Sequence, residues 1–416
     1  MKENFIILFL IFGLVVNAQF NRYIGVKSGD NPIMSFQSNL NGTITPVITP
    51  STGTLIWDFD NGTSVQETNT PSYANDGSTI NIKVYINTAS ATVTNVNVSS
   101  ENLIGSLDFS WATLSNLFYA YDNTGLTGIT FSASGNTSSY FILRNNGMSS
   151  IDFTGFSSIA GLELQNNNFT SLDFSSTTLS GSFFVYSNTS LTSITFSGSG
   201  NTSSNVRAYS CNLSTIDFSG YTLSGAFYLY GNSGLTDITF SGSNTSSDFR
   251  VYSCNLTDTL DVSSFVFSST IYGYSNANLT KVLFGGSTNV SSYLIFRSCN
   301  LTDTLDLSSF TSITNYEMQS NAITAITWSS TPFNTGASLI RFDNNALTVA
   351  EVDEIYSELN TFFTDGGAND PIKNLTVETD AGTNGTPTGG SSNTDIVQLR
   401  DTDFPNAGFT FTANIN

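Results

Sequence analysis

One apolar-x-aromatic triplet returns along this chain at an almost fixed step. It reads Leu107-Asp108-Phe109, Ile129-Thr130-Phe131, Ile151-Asp152-Phe153, Leu172-Asp173-Phe174, Ile194-Thr195-Phe196, Ile216-Asp217-Phe218 and Ile238-Thr239-Phe240. Leu260-Asp261-Val262, Val282-Leu283-Phe284, Leu305-Asp306-Leu307 and Ile326-Thr327-Trp328 continue it. Successive third positions differ by 22, 22, 21, 22, 22, 22, 22, 22, 23 and 21 residues. A unit that short cannot bury an apolar face alone, so a regular step means units stacked on their neighbours. The length of 416 residues agrees, since it exceeds what one compact core ordinarily holds.

Each unit carries a second signature. Leu162, Leu164, Asn167, Phe169 and Leu172 follow the spacing LxLxxNxLxxL. Val206, Ala208, Cys211, Leu213 and Ile216 repeat it, as do Phe249, Val251, Cys254 and Leu256. On these residues the chain resembles the leucine-rich-repeat family, and its short unit is most similar to the internalin-like bacterial secreted branch. Phe and Ile often stand where the family has Leu. The resemblance covers roughly residues 103 to 349. It implies a mainly β, right-handed leucine-rich-repeat solenoid of about eleven 22-residue coils.

The Asn position has a physical task. A sharp turn after a strand leaves backbone groups in the interior that need partners. A buried amide can bond its own turn and the next. Stacked rungs are expected at Asn123, Asn146, Asn167, Asn188, Asn232, Asn276, Asn321 and Asn345. Cys211, Cys254 and Cys299 fall in the same column, where the family pattern allows Asn or Cys. These thiols lie two coils apart, about 10 Å at strand spacing. A disulfide needs Cα atoms within about 7 Å, so three buried, reduced, inert thiols are expected. The chain has no histidine, and the cysteine spacing does not suit a metal.

A longer period overlies the first. Leu191 to Ser204 and Leu235 to Ser247 share one pattern, while Leu213 to Gly225 follows another, which makes a double unit of about 44 residues. The Ser, Gly, Thr and Asn stretches between strands are too polar and too helix-averse for long helices on the convex side.

The flanks differ from the repeat. Lys2, the apolar stretch Phe5 to Val16, and Val16-Asn17-Ala18 read as an export signal over residues 1–18, cleaved before Gln19. Residues 19–100 read as an N-terminal β domain or cap. Strands are expected at 79–86 and 91–98 from their alternation. Trp57-Asp58-Phe59-Asp60-Asn61-Gly62-Thr63 resembles the WDFGDGT turn of PKD-type β-sandwich domains, without the first Gly. The solenoid occupies 101–349, and a C-terminal cap 350–416. Thr348 and Glu351 form a capping-box pair, and Val352, Ile355, Tyr356, Leu359 and Phe362 come after it at helical spacing. A helix there would cover the last coil. Gly382 to Asn393 reads as a loop, and Phe409 to Thr412 as a closing strand.

Function classes narrow by exclusion. A formal charge of −20 argues against nucleic acid and against anionic lipid. Without histidine, Ser-His-Asp and Cys-His catalysis are ruled out. No Gly-rich stretch has a P-loop ending. The Asp column at 108, 152, 173, 217, 261 and 306 is periodic, which points to a turn role before catalysis. No apolar segment suits membrane insertion, and no cofactor is implied.

The informative surface is the outward side of the strand before each rung. Alternation places there Tyr119 and Tyr121, Ile142 and Arg144, Glu163 and Gln165, Phe184 and Tyr186. Arg207 and Tyr209, Tyr228 and Tyr230, Arg250 and Tyr252, Tyr272 and Tyr274 continue the series. Ile295 and Arg297, Glu317 and Gln319, and Arg341 and Asp343 complete it. Tyr recurs in one column at 186, 209, 230, 252 and 274, and every arginine between 101 and 349 falls on this face. Cross-strand aromatics stack for stability alone. Arg and Tyr are also the residues most enriched in recognition hot spots. The expected function is a secreted, non-enzymatic binding or adhesion protein. Its concave face would take an extended glycan or protein surface through Tyr186, Arg207, Tyr209, Tyr228, Tyr230, Arg250, Tyr252, Tyr272, Tyr274 and Arg297. The alternatives are a structural surface-coat module and a polysaccharide-active enzyme.

Overall fold

The computed structural model describes residues 31–59, 64–86, 92–286, 288–330, 332–363, 374–379, 384–406 and 410–415. It is 49% strand and 8% helix, and its coils form a β-solenoid of about 11 turns at a spacing of about 22 residues. The expected export signal lies outside the described residues. The chain divides into two compact units, Met1–Ser197 and Gly198–Asn416.

In the first unit each coil gives one strand to a parallel sheet: Thr113–Tyr119, Tyr140–Ile142, Ser158–Glu163 and Thr178–Phe184. Register places apolar on apolar, with Phe118 beside Phe141, Phe141 beside Leu162, and Leu162 beside Phe183. The triplet phenylalanines meet these residues from the other wall of the coil. Phe141 is fully buried, with ring centroids of Phe118, Phe131, Phe153 and Phe156 at 5.7, 5.7, 5.3 and 5.1 Å.

The region before the repeats is joined to the first coil through its sheets. Met34–Ser38 pairs antiparallel with Leu103–Phe109, and Thr92–Asn97 pairs parallel with Thr113–Tyr119. The expected strands appear as Ile80–Ile86 and Thr92–Asn97. The edge strand Val47–Pro50 ends on a proline, which blunts further pairing. Trp57 is fully buried and donates its indole N–H to the Thr68 carbonyl at 2.7 Å. Residues 60–63 of the PKD-like turn lie outside the described residues.

The second unit repeats the plan with Asn201–Arg207, Tyr221–Tyr228, Asn244–Arg250, Phe265–Tyr272, Asn289–Ile295, Phe310–Glu317 and Leu339–Arg341. Leu375–Glu378 and Phe411–Asn414 extend the sheet in parallel, so the closing strand starts at Phe411. Most long strands shift register near the middle, as between Ser203 and Asn205 or Ser246 and Asp248. Such a bulge bends a strand and re-aims the side chains beyond it.

The first two triplets lie on Leu103–Phe109 and Gly125–Phe131, which pair with each other inside a six-stranded sheet, whereas from Ser171 onward the described strands that carry triplets pair only in twos. Ser171–Phe174 pairs with Ser193–Phe196 in the first unit. Thr215–Phe218 pairs with Asp237–Phe240, Thr257–Val262 with Asn278–Phe284, and Thr302–Asp306 with Ala322–Thr327 in the second. Each pair joins an Asp-bearing strand to the strand of the next coil. The 44-residue period in the sequence is therefore a pairing unit.

Among the described residues, helix occurs only from Val349 onward. Val349–Phe362 buries Val352, Ile355, Tyr356 and Leu359, while Phe362 stays half-buried. The Thr348 hydroxyl accepts from the Glu351 N–H at 3.3 Å. The Glu351 carboxylate instead accepts from the Ile326 N–H at 3.2 Å. The acid at this capping-box position thus ties the helix to the last coil, which has a backbone donor to offer.

Candidate binding face

The Asn column is a hydrogen-bonded ladder. In the first unit Asn123 accepts from Leu103 N–H and donates to Val98 and Ala120 carbonyls. Asn146, Asn167 and Asn188 repeat this, each accepting from the preceding coil and donating to two carbonyls there and in its own coil. In the second unit Asn232, Asn276, Asn321 and Asn345 do the same. The residue before each rung supplies the turn. Asp122, Asn145, Asn166, Ser253, Ser275 and Ser298 are left-handed, with φ between 52° and 59°. Gly231 takes this place before Asn232 at φ 71°.

The structure adds rungs that the repeat reading missed. Asn384, in the loop expected at 382–393, accepts from Leu347 N–H and donates to Phe342 and Thr379 carbonyls, so the cap ends the ladder with a rung of its own. A second buried series lies at another corner: Asn136 in the first unit and Asn244 and Asn289 in the second. Their amide oxygens accept from Leu114, Leu223 and Phe267 N–H. Its signal was the Asn that precedes Thr-Ser-Ser at 136 and 244 and Val-Ser-Ser at 289.

Cysteine takes rungs at lower cost than an apolar residue would. The Cys254 thiol contacts Leu229 and Tyr252 carbonyls at 3.4 and 3.6 Å, and Cys299 contacts Gly273 and Arg297 carbonyls at 3.4 and 3.7 Å. None of the three cysteines forms a disulfide. Cys211 is buried, whereas Cys254 and Cys299 keep some exposure, which corrects the expectation of full burial. Burial pushes both thiols up to about 11. The thiolate is the reactive form, so at pH 8 the native protein should react with a disulfide reagent far more slowly than the urea-unfolded chain, which should release three equivalents. Fast stoichiometric reaction of the native chain would contradict this.

The Asp column serves turns. Asp108, Asp152, Asp173, Asp217, Asp261 and Asp306 each accept from the N–H two residues on, at 2.7 to 2.9 Å.

On the long-strand face of the second unit, Tyr209, Tyr230, Tyr252 and Tyr274 stack at centroid separations of 4.5, 4.6 and 4.5 Å, within 8° of parallel. Tyr186 lies in the first unit, half-buried. Tyr230 and Tyr252 have rings on both sides, and the Arg297 guanidinium sits 4.6 Å over Tyr274. The row therefore presents edges and hydroxyls, because strand spacing brings the ring faces onto one another. Burial among these neighbours pushes the Tyr252 hydroxyl up to about 12.

The arginines are held by acids and rings. Arg250 grips Asp248 with two bonds of 2.8 Å and lies over Tyr228 and Tyr272 at 4.8 and 5.5 Å. Tyr228 donates its hydroxyl to the same Asp248 at 2.6 Å. Arg207 donates to Asn205 at 3.2 Å and lies 5.6 Å over Tyr228. Arg297 pairs with Glu317 at 3.3 Å, and Arg341 with both Asp343 and Glu378. In the first unit Arg144 pairs with Glu163 at 3.5 Å and lies 4.5 Å over Tyr121. Alternation alone could not reveal these partners, since Asn205, Asp248 and Glu378 lie outside the two columns read from it. Gln165, Ile295 and Gln319 were expected on the open face but are only 4%, 8% and 7% exposed. Tyr293, in a column that was not read, is 45% exposed. Compared with known proteins, the chain matches no family model and no curated protein.

Proposed function

We propose that this chain is a secreted, non-catalytic binding protein, a divergent leucine-rich-repeat solenoid that holds an extended glycan or protein against its long-strand face. The observation that carries the reading is the parallel Tyr209–Tyr274 stack with Arg250 and Arg297 locked beside it. Side chains already fixed in place lose little entropy when a partner arrives. Because the arginines are compensated by acids, the face suits a partner held by hydrogen bonds and apolar contact over a polyanion. Export rests on the signal-like residues 1–18. Among the described residues, no helix is long and apolar enough to cross a membrane.

Changing Tyr209, Tyr230 and Arg250 together to Ala should lower retention on glycan arrays or cell surfaces at least about tenfold, as expected for loss of hot-spot residues. Melting curves would check that the variant is folded. Wild-type retention by the folded variant defeats the assignment. One observation favours a second reading. Stacked pairs stabilise a sheet by about 0.5–1.5 kcal/mol each without any partner. A surface-coat module would then self-associate equally well with or without the triple change.

A further inference from the structure

A two-coil segment of the face occurs twice. Ser138-Ser139-Tyr140-Phe141-Ile142-Leu143-Arg144 returns as Ser291-Ser292-Tyr293-Leu294-Ile295-Phe296-Arg297, and Glu163-Leu164-Gln165 returns as Glu317-Met318-Gln319. One copy lies in each unit. The two fold alike. Arg144 lies 4.5 Å over Tyr121 of the coil before, and Arg297 lies 4.6 Å over Tyr274. Arg144 pairs with Glu163 of the coil after at 3.5 Å, and Arg297 with Glu317 at 3.3 Å. Beside each pair stands the glutamine, 4% exposed at Gln165 and 7% at Gln319. In both copies the buried amide oxygen receives no hydrogen bond from a protein group.

A buried acceptor without a donor lowers stability, and folds rarely keep one. The same acceptor stands without a protein donor on the same Arg–Glu frame in both units. We infer that the two Arg–Glu–Gln constellations are saccharide subsites, each taking a neutral polyhydroxyl ring. This rests on the binding reading above and names its ligand class. Glu and Gln two apart on a strand face the same side, and in the first unit the Gln165 amide donates to Glu163 Oε2 at 3.4 Å; once the side chains covering the glutamine oxygen part, both residues can accept from neighbouring ring hydroxyls. The guanidinium beside them donates. Its charge is cancelled by the glutamate, so an anionic sugar gains nothing there.

The copies differ in access. Tyr293 is 45% exposed and lies beside the second site as an open ring. Its counterpart Tyr140 is half-buried and donates its hydroxyl to Glu163 at 3.0 Å. A ligand in the first unit must replace that bond. The second-unit site is therefore the tighter.

The test is calorimetric titration of the full chain with neutral cello-, laminari- and manno-oligosaccharides, with oligogalacturonate as the anionic probe. A neutral oligosaccharide should give two binding events. Gln319→Leu should weaken the tighter event at least about tenfold and Gln165→Leu the weaker one, as when a polar contact to a sugar hydroxyl is lost. Gln319→Leu should also melt higher, by about 2–4 °C, because an uncompensated oxygen is gone, and Gln165→Leu by less, because it also loses the amide bond to Glu163. Higher melting with unchanged binding means that the glutamines only burden the fold, and overturns the inference. Binding lost in the Tyr209/Tyr230/Arg250 variant but kept in the double Gln variant also overturns it, while leaving the broader reading intact. Heat from oligogalacturonate alone, or from none of the probes, sinks the subsites, and the surface-retention experiment then decides the broader reading by itself.

Discussion

Asn276→Ala should cost about 3–5 kcal/mol of stability, from three buried backbone groups losing their partner at about 1–3 kcal/mol each with partial relaxation. The amide accepts from Leu256 N–H at 3.2 Å and donates to Val251 and Gly273 carbonyls at 3.0 and 2.8 Å. Alanine can do neither, and the rung is fully buried, so water cannot substitute without opening the coil. Asn276→Cys should lose less, about 1–2 kcal/mol, because a thiol keeps a weak donor toward the carbonyls, as Cys254 and Cys299 do. Urea denaturation of the three proteins would measure both steps. Equal midpoints for wild type and Asn276→Ala would show that the ladder does not hold the coils together.

Phe249→Ala should cost about as much, 3–5 kcal/mol on the scale of ~3–5 kcal/mol for a buried aromatic truncated to Ala. The Phe249 side chain is fully buried, with the rings of Phe227, Phe265 and Phe267 at 5.2, 5.4 and 5.5 Å. The cavity would open between adjacent coils, where the backbone is pinned by the sheet and cannot collapse inward. Three residues further on, Tyr252→Ala removes only a half-exposed ring from the stack, worth about 0.5–1.5 kcal/mol per contact. The two substitutions thus separate the inner wall of a strand from its outer wall. A smaller loss at Phe249 than at Tyr252 would reverse the assignment of faces.

Much of this architecture could be read from spacing. A triplet at a step of about 22 residues leaves few folds, because each unit needs a neighbour on both sides. The Asn and Cys rungs came from the same spacing, since a turn that recurs must satisfy the same backbone groups each time. The 44-residue period was visible too, though its meaning as strands pairing in twos was not. The partners of the face were not legible. Arg250 meets Asp248 two residues earlier and Tyr228 one coil back, and only the register across the bulge brings these three together.

By itself, then, the order of residues determined the coil, its inner wall and its ladder, because periodic burial and periodic backbone need are local demands that repeat with the sequence. Tertiary structure alone decided what the outer wall offers. Strand spacing pressed the tyrosine rings face to face and turned their edges outward. Register gave Arg144, Arg297 and Arg341 an acid on the next coil, set tyrosine rings of neighbouring coils under Arg144, Arg207, Arg250 and Arg297, and left two glutamine oxygens covered without a donor. These are contacts between coils, and their outcome depends on side-chain reach across neighbouring strands, which no single repeat encodes.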